Sequence, residues 1–148
     1  MPISLTRTPS SKAAELARHR AECVAEVNDA VGQARLPYVT NIPGQEMIYN
    51  AKEREALAYL AMDPKPADLS EFPFMEAEVG VSADTPLELA QLWQTTAAQW
   101  RVVGPTFEEL RLSAIRDLKA AVTMGEIDIA METFRLALGA QTSPINAP

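Results

Sequence analysis

The feature that most constrains the fold of this chain is a helix-start pattern that occurs three times in its second half. A threonine is followed three residues later by a glutamate at residues 85–88, 106–109 and 123–126. In such a capping box the hydroxyl accepts a hydrogen bond from a free backbone N–H, and the glutamate accepts one from the N–H of the threonine. Pro86 also suits the first turn of a helix. Each pattern therefore predicts a helix start.

Apolar residues behind each start recur at the spacing of a helix that buries one face. We expect Gly104-Pro105 to break or kink the chain between the first two of these helices, and Gly139 to end the third. Trp93 and Trp100 are predicted to anchor a core against the helices that carry Phe107 and Phe134. The three predicted stripes are Leu89, Leu92, Trp93, Thr96, Trp100 and Val103; Phe107, Leu110, Ala114, Leu118 and Ala121; and Ile127, Ala130, Met131, Phe134 and Leu138.

The first half of the chain predicts three more helices. One begins at Ser10 or Ser11 and ends near Ala34, before Leu36-Pro37. A second covers about Glu46–Met62, and a two-turn helix lies between Pro73 and Gly80. No segment shows the alternation of a strand. We therefore predict an all-α fold, a small helical bundle of about five to six helices with extended termini. Its predicted parts are an arm and long helix (1–36), a helical domain (37–139) and a tail (140–148).

The long first helix carries a seam of small and apolar residues with alternating spacings of four and three. Two interpretations fit this seam: a helix that packs on its own domain, and a coiled coil that joins two or more chains. The second makes Val24, Val27 and Val31 candidate protein-contact residues and predicts a homo-oligomer. The full seam is Ala13, Ala17, Arg20, Val24, Val27, Val31 and Ala34.

Composition limits the classes of partner. The net charge of −7 makes an electrostatic grip on nucleic acid improbable, so no nucleic-acid partner is expected. No run approaches the roughly 20 apolar residues that span a bilayer, so no membrane association is expected either. Cys23 is the one cysteine, which excludes an intramolecular disulfide. With no apolar targeting segment near Met1, we expect a protein that is soluble and intracellular when made.

Residues with reactive side chains form no recognisable catalytic pattern. His19 and Cys23 lie four apart and share a helix face, but one histidine and one cysteine are too few for a typical zinc site. The acidic residues that invite an acid–base interpretation lie beside basic ones, which favours a solvated charged face. We predict no enzyme activity, no cofactor, no metal site and no small-molecule ligand. These acidic residues are Glu53, Glu55, Glu76, Glu78, Glu108 and Glu109.

The stretch "LPYVTNIPGQEMIYNAKEREALAYL" over residues 36–60 is better interpreted as a structured joint than as a ligand loop. It has too few glycines and no lysine in "IPGQE" to cradle a phosphate. Gly44 is expected for backbone geometry and Gln45 for a local hydrogen bond. Tyr38 and Tyr49 remain available to contact a neighbouring protein.

Residues 39–130 resemble a helical domain of tail proteins from double-stranded DNA bacteriophages and prophages, which is associated with tail fibres and their assembly. The resemblance rests on the order of five elements: a "pGQ" turn, a "Y…K…EA…YL" helix, a "(F/Y)P…EvG" element, a helix with tryptophans, and an "E…R…A…aI…A" helix that ends near "eID". The matching residues are Gly44 and Gln45; Tyr49, Lys52, Glu55, Ala56, Tyr59 and Leu60; Phe72, Pro73, Glu78, Val79 and Gly80; Trp93 and Trp100; and Glu109, Arg111, Ala114, Ile115, Ala121, Glu126, Ile127 and Asp128.

This resemblance implies a role in the virion or in its assembly, without catalytic residues. The expected function is a structural component of the tail at the fibre, tail tip or baseplate, with other tail proteins as partners. The expected location is the virion tail, after assembly in the cytoplasm of the host bacterium. The main alternative is a tail-fibre assembly chaperone, and a third is an adaptor or regulator outside the virion.

Overall fold

A computed structural model describes residues 8–40 and 42–142. In these residues it contains five α-helices and no strand, which confirms the predicted all-α fold. The predicted extended arm and tail lie largely outside the described residues. The helices are α1 (Pro9–Arg35), α2 (Gln45–Ala61), α3 (Pro73–Glu78), α4 (Pro86–Ala120) and α5 (Met124–Thr142).

The first and third capping boxes form as predicted. The Glu88 N–H donates to Thr85 Oγ1 at 3.2 Å, and the Thr85 N–H donates to Glu88 Oε2 at 3.1 Å. At the start of α5 the Glu126 N–H donates to Thr123 Oγ1 at 3.2 Å, and the Thr123 N–H donates back to Glu126 Oε2 at 3.2 Å. These bonds satisfy N–H groups that the first turn of each helix leaves free.

The second capping box does not start a helix, because α4 continues through Pro105. A proline removes one helical hydrogen bond, here to the Arg101 carbonyl, and costs ~3 kcal/mol. Two local features favour continuity all the same. Phe107 is buried just beyond the proline, and the Trp100 ring lies 3.0 Å from the position that a Gly104 Cβ would occupy. Glycine at 104 thus leaves room for the indole against the helix, and the predicted break was wrong.

The predicted end of the last helix was also wrong. Gly139 lies inside α5, which continues to Thr142. Among the described glycines only Gly44 and Gly80 have a positive φ, of 83° each, so Gly139 does not take the left-handed conformation that ends many helices. The Thr142 hydroxyl donates to the Leu138 carbonyl at 3.0 Å in this last turn. The predicted tail therefore begins as helix.

The chain divides into two compact units, and α4 contributes to both. Unit 1 combines residues 1–35 with residues 105–148, and unit 2 comprises residues 36–104. The second half of α4 and α5 group with the first helix, because α1 packs along α5. The predicted parts 1–36, 37–139 and 140–148 stay a prediction.

In unit 1, hydrogen bonds fix the directions of three helix segments. Contacts of α1 with α5 advance together along both helices, from His19–Asp128 to Glu26–Arg135, so these helices run parallel. Contacts of α1 with α4 run in opposite order, so that pair is antiparallel. They join Arg20 to Leu118, Asn28 to Arg111, and Arg35 to Glu108.

Part of the seam of α1 is buried inside unit 1. Val27 and Val31 are fully buried, Val24 is half-buried, and Ala13 and Ala17 are exposed. The interpretation of α1 as a helix that packs on its own domain therefore explains both buried valines without a second chain. Whether the protein self-associates stays a prediction, but Val27 and Val31 are not accessible to another molecule in this conformation.

Arg20, the polar member of the seam, binds the C-terminal end of α4. Its guanidinium donates to the Leu118 carbonyl at 2.9 Å through Nε and to the Ala121 carbonyl at 2.6 Å through Nη2. The Val122 N–H, which would continue the helix by bonding Leu118, donates instead to Glu126 Oε2. Arg20 therefore satisfies carbonyls that the end of α4 leaves free.

The core of unit 2 forms where α2, α3 and the first half of α4 bury their apolar faces. Tyr59 and Phe72 meet edge-on with ring centroids 5.8 Å apart. Trp93 is buried in this cluster, whereas Trp100 is half-buried. The predicted packing of the tryptophans against the helices that carry Phe107 and Phe134 stays a prediction. The buried cluster is Ala56, Tyr59, Phe72, Met75, Leu89, Ala90 and Trp93.

We predict that Arg20→Ala lowers the free energy of unfolding by about 1.5–3 kcal/mol, because carbonyls at the end of α4 lose hydrogen bonds from a charged donor. Urea unfolding followed by circular dichroism measures this change. Arg18→Ala is the control, since Arg18 is 72% exposed and its ion pair with Glu22 lies at the surface. Its expected effect is within about 0.5 kcal/mol. Equal losses in the two variants would contradict the capping role of Arg20.

Candidate functional site

His19 and Cys23, the pair with the most reactive side chains, lie in an open groove of unit 1. Cys23 Sγ is 3.9 Å from His19 Nε2, and this nitrogen is 3.5 Å from Asp128 Oδ1. The groove has a volume of about 460 Å³, which would suit a small ligand, but charged side chains form much of its lining. The other lining residues are Glu26, Ile129, Met131, Glu132 and Arg135.

The Cys23 thiol is not activated as a nucleophile. It is 6% exposed, and burial raises its pKa above the ordinary value of 9.0. The nearby Glu26 carboxylate raises the pKa further by repelling a thiolate. Reactive cysteines need the opposite environment, with a lowered pKa and access to solvent. Cys23 is best explained as a buried apolar residue of unit 1.

The structure also does not complete the half zinc site that the His19–Cys23 spacing suggests. In residues 8–40 and 42–142, no group of three or more histidine, cysteine, aspartate or glutamate side chains is arranged to hold a metal ion. Asp128 approaches His19, but Glu26 pairs with Arg135 at 2.7 Å. The groove therefore offers an ion-paired surface.

Glu55 holds one helix against another. Its two carboxylate oxygens accept hydrogen bonds from the Phe74 N–H at 3.1 Å and the Met75 N–H at 2.9 Å, in the first turn of α3. An acidic group at this position satisfies free backbone donors and interacts favourably with the positive end of the helix. The sequence predicted a solvated carboxylate at this position. Its structural role could not be predicted, because Phe74 and Met75 lie 19 and 20 residues beyond Glu55 in the chain.

Glu78 lies in a half-buried cluster with Lys52 and Trp93. Lys52 pairs with one Glu78 oxygen and lies 5.3 Å from the centre of the Trp93 ring. The Ser82 hydroxyl donates to the other oxygen at 2.8 Å. Burial by itself would raise the pKa of Glu78, but hydrogen bonds from Lys52 and Ser82 outweigh it and lower the pKa. A carboxylate held in its charged form at neutral pH is poorly suited to act as a general acid.

Glu108 pairs with two arginine side chains. It accepts hydrogen bonds from Arg111 at 2.6 and 3.0 Å and from Arg35 at 2.8 Å. These bonds, from Arg111 first and Arg35 second, lower the pKa of Glu108 from 4.5 to about 2. Since Arg35 is the last residue of α1, this cluster fixes the end of α1 against α4.

The joint between α1 and α2 has an architectural explanation. Gly44 precedes α2 with a φ of 83°, a left-handed conformation that glycine adopts readily. The Tyr49 hydroxyl donates to Thr40 Oγ1 at 2.8 Å and accepts from the Thr40 N–H at 3.3 Å. Burial by itself would raise the pKa of Tyr49, but the Thr40 and Gln45 groups beside its hydroxyl outweigh burial and lower the pKa. The chain before α2 is thus tied to the first turns of that helix.

The five candidate protein-contact residues are divided between the two units. Val27 and Val31 are buried in unit 1, and Val24 is half-buried there. Tyr38 and Tyr49 are half-buried in unit 2, where the Tyr49 hydroxyl is already bonded within the chain. A role of Tyr38, Tyr49 or Val24 in contacts with another protein stays a prediction.

Sequence analysis missed a second apolar stripe, on the outer face of α5. Ile129 and Leu136 lie seven residues apart, and each is 68% exposed. The buried residues Ile127, Met131 and Phe134 occupy the opposite face of the same helix. The spacing of seven was visible in the sequence, but the core stripe of α5 already explained a helix. We call Gly125, Ile129, Thr133, Leu136 and Ala140 the outer stripe of α5.

No protein-family model, no curated protein and no solved structure matches this chain. The resemblance to phage tail proteins therefore stays a hypothesis that rests on the order of the sequence elements.

No helix within the described ranges, 8–40 and 42–142, has the combination of length and apolar character that crossing a membrane requires.

We predict that Gly44→Ala destabilises the protein by about 1–2 kcal/mol, because an alanine at φ 83° is strained even though no atom lies within 4 Å of the added Cβ. Chemical denaturation measures the change. Gly32→Ala is a matched control inside α1, where the added Cβ also meets nothing and alanine should stabilise by roughly 0.5–1 kcal/mol. A Gly44→Ala protein as stable as wild type would contradict the architectural explanation.

We predict that the contribution of Glu108 to stability depends on pH and decreases as the pH falls. Its pKa is lowered on folding, so the stability that its pairing contributes is present above pH 4.5 and is lost as pH falls from 4.5 through about 2. Glu108→Gln should therefore be less stable than wild type at pH 7, and the difference should shrink over that window. The urea midpoint as a function of pH measures it.

The control for this pH experiment is Glu109→Gln, which changes the exposed neighbouring carboxylate. Its difference from wild type should remain small and nearly constant over the same pH range. A Glu108→Gln difference that does not change between pH 7 and pH 2 would contradict the pairing described above.

Proposed function

We propose that this protein is a structural component of a bacteriophage tail, at the fibre, tail tip or baseplate, and that it acts through protein–protein contacts. The tail assignment comes from the resemblance of residues 39–130 to tail-associated helical domains. The proposed partners are other tail proteins and further copies of this chain. The proposed location is the virion tail, after assembly in the host cytoplasm.

Two features support a contact function: the carboxylates and the thiol have structural roles, and large apolar side chains remain exposed. The half-buried carboxylates Glu55 and Glu78 and the ion-paired Glu108 all hold structural elements in place. The Cys23 thiol is buried with a raised pKa. Large apolar side chains remain exposed, notably Ile129 and Leu136. An exposed apolar surface on a folded domain is typical of protein interaction sites.

Mass spectrometry of purified phage particles tests the proposal. Labelled reference peptides from this chain allow its copy number to be measured against a major tail protein in the same particles. A host cytoplasmic protein of similar abundance serves as the contamination control. A fixed ratio well above that control supports a tail component.

Absence from the particles would overturn the structural role. If the protein then co-purified with unassembled fibre protein from infected cells, the assembly-chaperone alternative would replace it. Absence from both the particles and the fibre complexes would favour an adaptor or regulator outside the virion.

A further inference from the structure

We infer that the outer stripe of α5 is a self-association surface, on which a second copy of this chain packs its own α5 in antiparallel orientation. This inference names a surface for the expected self-association, and it holds whether or not the protein belongs to a phage tail. It also replaces the buried seam of α1 as the site of contact between copies.

The outer stripe is apolar, and its side chains need few hydrogen-bond partners. Ile129 and Leu136 are each 68% exposed and lie on the same helix face, so together they form an exposed apolar pair. Between them the Thr133 hydroxyl donates to the Ile129 carbonyl at 2.9 Å, so its polar atom is satisfied within the helix. The stripe therefore combines two large apolar side chains with a threonine whose hydroxyl needs no further partner.

The order of residues along the stripe fits a copy of itself that runs in the opposite direction. A twofold axis between residues 132 and 133 places Ile129 of one copy opposite Leu136 of the other. The same axis places Gly125 opposite Ala140, so small residues meet at both ends and allow the helices to approach closely. A twofold contact of this kind is self-complementary, as the interface of a homodimer must be.

The charges beside the stripe favour the same arrangement. Asp128, Glu132 and Arg135 lie along one flank, at spacings of four and three residues. In an antiparallel pair this flank meets its own copy, and Arg135 lies level with residue 130 of the second chain, between Asp128 and Glu132. The Glu132 side chains of the two copies lie beside the axis, and each is next to Arg135 of the other copy. Asp128 and Arg135 are 73% and 54% exposed, so both remain accessible despite their contacts with His19 and Glu26.

A parallel pair would lose this complementarity. The flank with Asp128 and Glu132 would then face the opposite flank of the second helix. That flank carries Glu126 and no basic side chain among residues 124–142. Like charges would approach each other, which costs free energy at an interface. Of the two orientations, the antiparallel one places Arg135 beside carboxylates of the second copy, and on this ground we infer that orientation.

The first test measures the mass of the full-length chain in solution by light scattering after size exclusion, over a wide range of concentrations. Wild type should approach twice the 16.1 kDa chain mass at high concentration and fall toward that chain mass on dilution. Leu136→Glu should weaken the dimer by about tenfold or more, because it places a charge in the centre of the contact. Its far-ultraviolet circular dichroism and melting temperature should match those of wild type.

Val102→Glu is the matched control, because Val102 is a 74% exposed apolar residue of α4 outside the stripe. It should dimerise as wild type does. A wild-type protein that stays monomeric at every concentration overturns the inference. A Leu136→Glu protein that dimerises as strongly as wild type overturns it as well.

Disulfide cross-linking tests the orientation. Ile129→Cys and Leu136→Cys are prepared separately, then oxidised alone and as a mixture, with the buried Cys23 present in every sample. The antiparallel contact predicts a cross-linked dimer in the mixture and much less in either variant alone. Strong cross-linking of each variant alone would instead indicate a parallel contact and overturn the proposed geometry.

Discussion

Unit 1 depends on the need to satisfy the backbone carbonyls at the end of α4. The chain turns sharply between Ala120 and Met124, and there the Val122 N–H is taken by Glu126. Arg20 supplies the missing donors from a helix about a hundred residues earlier in the chain. Because unsatisfied buried carbonyls are costly, α1 stabilises the joint between α4 and α5 through Arg20. The ion pairs farther along α1 then fix its register.

Unit 2 follows the same physical rule with different residues. Glu55 binds the free N–H groups at the start of α3, and Lys65 donates from its ammonium group to the Leu60 and Met62 carbonyls at the end of α2. The Lys52–Glu78–Trp93 cluster joins α2 to the end of α3 and to α4. Charged side chains therefore act mainly as connectors between helix ends.

These contacts also set the protonation state of the carboxylates that take part in them. A carboxylate that binds backbone N–H groups or a guanidinium is held in its charged form, and the lowered pKa values of Glu78 and Glu108 express that preference. Such groups are poor proton donors at neutral pH. Large apolar side chains remain exposed, and on α5 two of them, Ile129 and Leu136, lie opposite the core face.

The sequence by itself determined which segments are helical and where most helices begin. Capping boxes at Thr85 and Thr123, the proline at the start of α3 and the glycine before α2 are local signals, and each acts within a few residues of the chain. Tertiary structure decided what local signals could not. The capping pattern at Thr106 has no effect because packing of Trp100 and Phe107 keeps α4 continuous through Pro105. Likewise, the valine seam of α1 could fit a second chain or the same one. In the structure it packs inside unit 1, where burial of Val27 and Val31 and the hydrogen bonds of Arg20 to the end of α4 act together between residues that no local pattern connects.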